Sequence, residues 1–168
     1  SLSGDTAVVS SYPDVTVFTR SGGQWTEQAT LDLVSPPTGP VAVDGDTLAV
    51  PDQDGHVRVF ERVAGTWTEE ADLVPTTDSG GIVGSVSLSG DTLLSDSDYR
   101  GPFVFTRAAG TWTQEAQLVP SYASVSGAAL SGDTVVVTET LSRQLEGKTL
   151  YGVVAVVYMR TEAGWSKQ

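Results

Sequence analysis

The chain has 168 residues, no cysteine and a net charge of −12, from 21 acidic against 9 basic side chains. That length suits one domain burying about 70% of its unfolded surface, and the missing cysteine excludes disulfide staples and thiolate chemistry. The charge opposes nucleic acid and anionic membranes as partners, and no apolar run is long enough for membrane insertion.

In chain order, the dominant feature is a sentence repeated over residues 1–34, 41–74, 85–119 and 128–168. Its fixed points are Gly4, Gly45, Gly90 and Gly132, each followed by Asp, and then Trp25, Trp67, Trp112 and Trp165. A period of about 42 residues lies in the range of propeller blades. No segment sustains a 3.6-residue period, so helical solenoids are excluded. The fold class expected is all-β: a β-propeller, or propeller segment, of four repeats within one domain, 1–168, each a four-stranded antiparallel blade.

Each repeat reads as four strands. The first is a short apolar run, as in Val41–Val43, Val86–Leu88 and Ala128–Leu130. A tight Ser-Gly-Asp or Asp-Gly-Asp turn follows, with glycine where φ must be positive. The second strand is expected at Ala7–Ser10, Thr47–Val50, Thr92–Ser95 and Thr134–Thr138. The third alternates cleanly: Val15, Val17 and Thr19 on one face, Thr16, Phe18 and Arg20 on the other.

A second glycine turn leads to the fourth strand, WTEQATL, WTEEADL or WTQEAQL, expected as an outer strand with Trp, Ala and Leu on one side. In the last repeat the turn glycine moves to Gly164, so a different turn is expected there. The first repeat has little first strand and the last little fourth strand. This pattern suggests an excerpt of a longer array, or a ring completed by another copy or by flanking blades.

At SGDT, VFTR or VFER, and the turn-plus-tryptophan words GGQW and AGTW, the repeat resembles the bacterial and archaeal type of the FG-GAP family, the blade of integrin-α-like propellers. The resemblance spans essentially the whole chain. It implies a propeller, commonly seven-bladed in that family, with an extracellular or cell-surface adhesion or scaffold role. The family's calcium loop has the form DxDxDG, whereas here the turn is only Ser-Gly-Asp, too short for the six to eight oxygens that calcium takes. The Gly-Ala-Pro word after the second strand is absent as well. The family's calcium sites therefore do not carry over, and no metal site or cofactor is expected.

Comparison among the repeats separates frame from variation. The two glycine turns hold their length, while the connections after the second and fourth strands vary in length and composition. Alternating strand direction puts the variable connections on one face, where binding usually resides. Candidate binding residues are Tyr12 and Asp14; Asp52, Asp54 and His56; Asp96, Asp98, Tyr99 and Arg100; and Tyr122. The corresponding loop of the last repeat is expected to be longer, from Glu139 to Tyr151.

Asp52-Gln53-Asp54-Gly55 and Asp96-Ser97-Asp98 resemble pieces of a calcium loop, but aspartate is also an ordinary turn former. His56 is the only histidine and has no cysteine with which to share zinc. Arg20, Arg62, Arg107 and Arg160 each precede a tryptophan by five residues, which points to packing on that ring or pairing with a strand glutamate.

No catalytic residue is marked. The expected function is a non-catalytic binding or scaffold module for protein or glycan. The alternatives are a lectin, a structural subunit of a surface filament or envelope, and a hydrolase with an acidic centre.

Overall fold

The computed structural model describes residues 1–76, 83–97, 101–118, 124–145 and 148–168. Blade 1 contains β1 (Leu2–Ser3), β2 (Thr6–Ser11), β3 (Asp14–Ser21) and β4 (Gln24–Leu31). Blade 2 contains β5 (Ala42–Asp44), β6 (Thr47–Pro51), β7 (Val57–Val63) and β8 (Thr66–Leu73). Blade 3 contains β9 (Val83–Ser89), β10 (Thr92–Ser97), β11 (Phe103–Ala108) and β12 (Thr111–Gln117). Blade 4 contains β13 (Ser124–Ser131), β14 (Thr134–Leu145), β15 (Lys148–Thr161) and β16 (Gly164–Lys167). Each blade is an antiparallel meander in sequence order. The first strands β1, β5, β9 and β13 pack against one another, so they are innermost and the fourth strands form the outer edge.

Turn chemistry fixes the register. Gly4, Gly45, Gly90 and Gly132 have φ of 54–57° at the first position of two-residue hairpins, the type II′ arrangement. In blades 1–3 the second turn carries positive φ at both central residues, for example Ala64 at 50° and Gly65 at 84°, as type I′ requires. In blade 4 the positive φ falls on Gly164, after the Glu162-Ala163 loop. The shifted glycine does bring a different turn.

Three apolar cores lie between successive blades. The first joins Val8, Val15, Val17 and Leu31 of blade 1 to Leu48, Val50, Phe60 and Trp67 of blade 2. The second joins Ala49, Val57, Val59 and Leu73 to Leu93, Phe105 and Trp112. The third joins Leu94, Val104 and Leu118 to Leu130, Val135, Val137 and Tyr158. The period-2 pattern explains this directly, since alternate residues of each strand face the preceding and the following blade.

Two expectations are corrected. Trp does not share a face with Ala and Leu on the fourth strand. A β-bulge opposite Val17/Phe18, Val59/Phe60 and Val104/Phe105 inserts one residue, Gln28, Glu70 or Glu115, and inverts the alternation. Trp67 therefore packs back toward blade 1, while Ala71 and Leu73 pack toward blade 3.

Nor do residues 139–145 and 148–151, within the stretch from Glu139 to Tyr151, form a loop. β14 and β15 continue through it as a paired hairpin, rung by rung from Glu139↔Val154 to Leu145↔Lys148. Thr140, Thr149 and Tyr151 are the strand-favouring residues within it. At the two ends of the chain, β1 and β16 are short but paired.

Candidate functional site

The two ends of the blades are built differently. At the glycine-turn end, one motif recurs. The Arg20, Arg62 and Arg107 Nε atoms each donate to the aspartate of their own hairpin, Asp5, Asp46 and Asp91, at 2.7–2.8 Å. Each guanidinium also lies over the tryptophan five residues on, 4.9–5.5 Å from the ring centre in all four blades. Arg160 keeps the pattern more loosely, 3.5 Å from Asp133. The expected packing on the ring is present in all four blades, and the expected pairing with a fourth-strand glutamate in two, Arg107 with Glu70 at 3.1 Å and Arg160 with Glu115 at 2.8 Å, so these arginines belong to the frame.

The motif also reaches the preceding blade. Arg62 donates to Thr6 Oγ1 at 3.0 Å and Arg107 to Thr47 Oγ1 at 3.2 Å. The bulge residues provide the outer contact. Trp67 Nε1 donates to Gln28 at 3.3 Å, Trp112 Nε1 to Glu70 at 3.2 Å, and Arg160 to Glu115 at 2.8 Å. Burial alone would push the Arg107 guanidinium pKa down. Its hydrogen bond with Asp91 and the charge of Glu70 outweigh that, so the pKa stands above the ordinary value.

The other end varies from blade to blade. Tyr12 is exposed beside a cavity of about 230 Å³ lined with Ser10, Pro37, Thr38 and Gly39. This corner is held by backbone contacts between loops: Thr38 N donates to Pro51 O at 2.9 Å, and Gln53 N to Pro36 O at 3.0 Å. Asp14 and Asp54 are exposed, and Asp96 is half-buried in β10. Asp98, Tyr99, Arg100 and Tyr122 lie outside the described residues.

Asp52 is fully buried and acts as a turn clamp. Its Oδ1 accepts from the backbone N–H groups of Asp54 and His56 at 3.0 Å, and its Oδ2 accepts from Arg58 Nε at 2.9 Å. Arg58 also meets Asp72 at 3.0 Å and Glu69 at 3.3 Å, and Asp72 in turn meets His56 Nδ1 at 2.9 Å. Burial opposes the Arg58 charge, but the Asp52 hydrogen bond and the neighbouring carboxylates prevail and raise its pKa.

The sequence reading placed Asp52, Asp54 and His56 together but missed Arg58, Glu69 and Asp72. The available signal was that Arg58 stands where the other repeats carry Thr16, Phe103 and Val156. Among the described residues, no group of three or more His, Cys, Asp or Glu side chains is arranged to hold a metal ion. Likewise, no helix there is long and apolar enough to cross a membrane.

At the same end, the β14–β15 hairpin carries Tyr151 and Val153, which are 75% and 66% exposed. Sequence reasoning named neither as a site residue.

No family model and no curated protein matches the chain. Solved structures do. The N-terminal domain of Nup159 superposes over 100% of this chain and 46% of its own, with TM-score 0.59 and 10% identity. A chain of the mitotic checkpoint complex matches 80% of this chain and 41% of its own, with TM-score 0.56 and 20% identity. The computationally designed Ika8 protein matches 95% and 56%, with TM-score 0.55 and 16% identity. The fold is a β-propeller. The chain spans a little under half the length of the Nup159 domain.

Proposed function

We propose that this propeller is a non-catalytic, protein-binding scaffold of the extracellular or cell-surface kind, related to FG-GAP blades, and that it binds through its variable end. One observation carries this reading. The constant end uses its charges on the frame, whereas the variable end presents exposed Tyr12 and a projecting hairpin with Tyr151 and Val153. Apolar and aromatic side chains in water at the tip of a rigid frame are the usual anchors of a protein interface. The repeated words SGDT, VFTR and AGTW support the family reading.

Two of the similar structures are complexes: the mitotic checkpoint complex, and S. cerevisiae Dbp5 bound to Nup159. Protein partners are a fitting expectation for this propeller too.

A glycan is the second reading, favoured by a groove of about 450 Å³ between blades 1 and 2. Gln28, Thr30, Asp32, Thr66 and Glu69 line it beside Trp67. The test is to screen the chain against arrays of extracellular protein domains and of glycans, beside a Tyr12→Ser/Tyr151→Ser variant. Protein ligands lost in the variant are the expected result. Binding that the variant leaves intact, or binding to glycans alone, would overturn the protein-scaffold reading.

A further inference from the structure

Three kinds of donor–acceptor pair join successive blades, all running in the same direction. First, the residue before the turn glycine accepts from the turn glycine N–H of the next blade: Ser3 from Gly45 at 3.0 Å, Asp44 from Gly90 at 2.8 Å, Ser89 from Gly132 at 2.9 Å. Second, between blades 1 and 2 and between blades 2 and 3, the threonine after the Gly-Asp pair accepts from the next blade's arginine. Third, the bulge residue accepts from the next blade's tryptophan or arginine.

Every blade thus has an accepting face and a donating face. Among the described residues, the donating face of blade 1 and the accepting face of blade 4 meet no blade. Core clusters of the described residues join blades 1 and 2, 2 and 3, and 3 and 4, and none of these joins 4 and 1.

Exposure measures what is missing. On the donating face, Leu2, Val9 and Trp25 are 64%, 51% and 42% exposed, whereas their counterparts Val43, Val50 and Trp67 in blade 2 are 7%, 0% and 9%. On the accepting face, Val136 is 39% exposed, against 1% for its counterpart Val8. Blade 4 carries the accepting groups in the right places. Ser131 precedes the turn glycine, Thr134 follows the Gly-Asp pair, and Gln168 stands three residues after Trp165, as Gln28 does after Trp25.

We propose that the donating face of blade 1 docks onto the accepting face of blade 4 in a second copy of this chain, head to tail. The occupant is a second copy because blade 4 already supplies both halves of the fit: the polar acceptors in register and an apolar surface at Val136. The contact continues an interface that the chain builds three times within itself. Such a heterologous contact closes a ring when the rotation permits and otherwise extends a chain of copies.

The test is light scattering behind a sizing column on the whole chain, on Val9→Lys and Val136→Lys, and on a 1:1 mixture of the two. Both sites are exposed, so neither variant disturbs the fold. A circular-dichroism spectrum checks this for each. Wild type is expected at twice the 17.6 kDa chain mass or more. Each variant alone is expected at the single-chain mass, because every contact then contains one lysine. In the mixture one unaltered contact remains, and a dimer should reappear.

A wild-type protein that stays monomeric across the concentration series overturns the proposal and points to further blades or another protein on these faces. Assembly indifferent to both lysines, or a mixture that stays monomeric, also overturns head-to-tail docking.

Discussion

Replacing Trp67 by alanine tests the blade interface directly, and Trp25 supplies an internal control. Trp67 is 9% exposed, packs against Leu48, Val50 and Phe60 in the core between blades 1 and 2, and ties its Nε1 to Gln28. Truncation there removes a buried aromatic from a close-packed contact and should cost about 3–5 kcal/mol. For a chain of this size that lowers Tm by about 6–20 °C.

Trp25 occupies the same position in blade 1 with the same arginine over its ring, but it is 42% exposed and has no blade behind it. Burying only part of the side chain limits its loss to about 1–2 kcal/mol. Thermal melts followed by far-UV circular dichroism, on dilute protein so that association adds nothing, should separate the two by several degrees. Equal losses would refute the assignment of these tryptophans to a filled interface and an open face.

Three further outcomes follow from buried polar groups. Asp52→Ala leaves Arg58, itself only 9% exposed, without its innermost carboxylate and should cost about 3–5 kcal/mol; Asp52→Asn, which keeps the one oxygen that accepts from both backbone N–H groups, should cost less, both read by urea unfolding. Ser95 is fully buried with its Oγ unpartnered, where the other repeats place Val9, Val50 and Val137. Ser95→Val should therefore stabilise by about 1–2 kcal/mol, and a destabilised variant would mean the hydroxyl has a role.

Burial first, and then the Glu139 charge, raises the Tyr158 pKa above its ordinary value of 10.0. The neutral phenol is favoured when folded, so its contribution is intact below the unfolded pKa. It is lost as pH rises from about 10 through the folded pKa. Stability measured against pH should fall less steeply there in Tyr158→Phe, and identical slopes would argue against this account.

The frame was legible because it is written four times. The hairpin turns could be placed from Gly4, Gly45, Gly90 and Gly132 because positive φ at those points leaves little choice of residue. The faces of the third strand followed from simple alternation. The fourth strand misled because a bulge is one inserted residue, and the words WTEQATL and WTEEADL alternate equally well with or without it. Only pairing to the neighbouring strand shows that Gln28 and Glu70 stand out of register.

The hairpin from Glu139 to Tyr151 was hidden for the opposite reason. It has no counterpart in the other repeats, and a length difference by itself says nothing about whether the extra residues pair. The Arg58 cluster was hidden because charge partners that meet across strands, Asp52, Glu69 and Asp72, are separated in sequence by ordinary turn and surface residues.

The bulge explains why one end of this molecule can vary while the other cannot. Turning Gln28, Glu70 and Glu115 out of the alternation aims them at the next blade, where they accept from Trp67, from Arg107 and Trp112, and from Arg160. Each guanidinium is then held by its hairpin aspartate and its own ring, in most blades together with the threonine or bulge residue of the blade before. A substitution at the glycine-turn end therefore disturbs several partners at once, and in this setting removing one partner costs more than the bond itself is worth.

The opposite end repeats no such motif among the described residues: its links between loops, such as Thr38 Oγ1 donating to Val83 O at 2.7 Å, are particular to their place. Blade 2 stabilises its loop locally through Asp52, while blade 4 extends its hairpin by simple β-pairing. The two solutions differ in kind, so this end follows no rule repeated from blade to blade. A surface for recognition can therefore diversify on a frame whose assembly rule is the same at every step, including the step that would join one copy to the next.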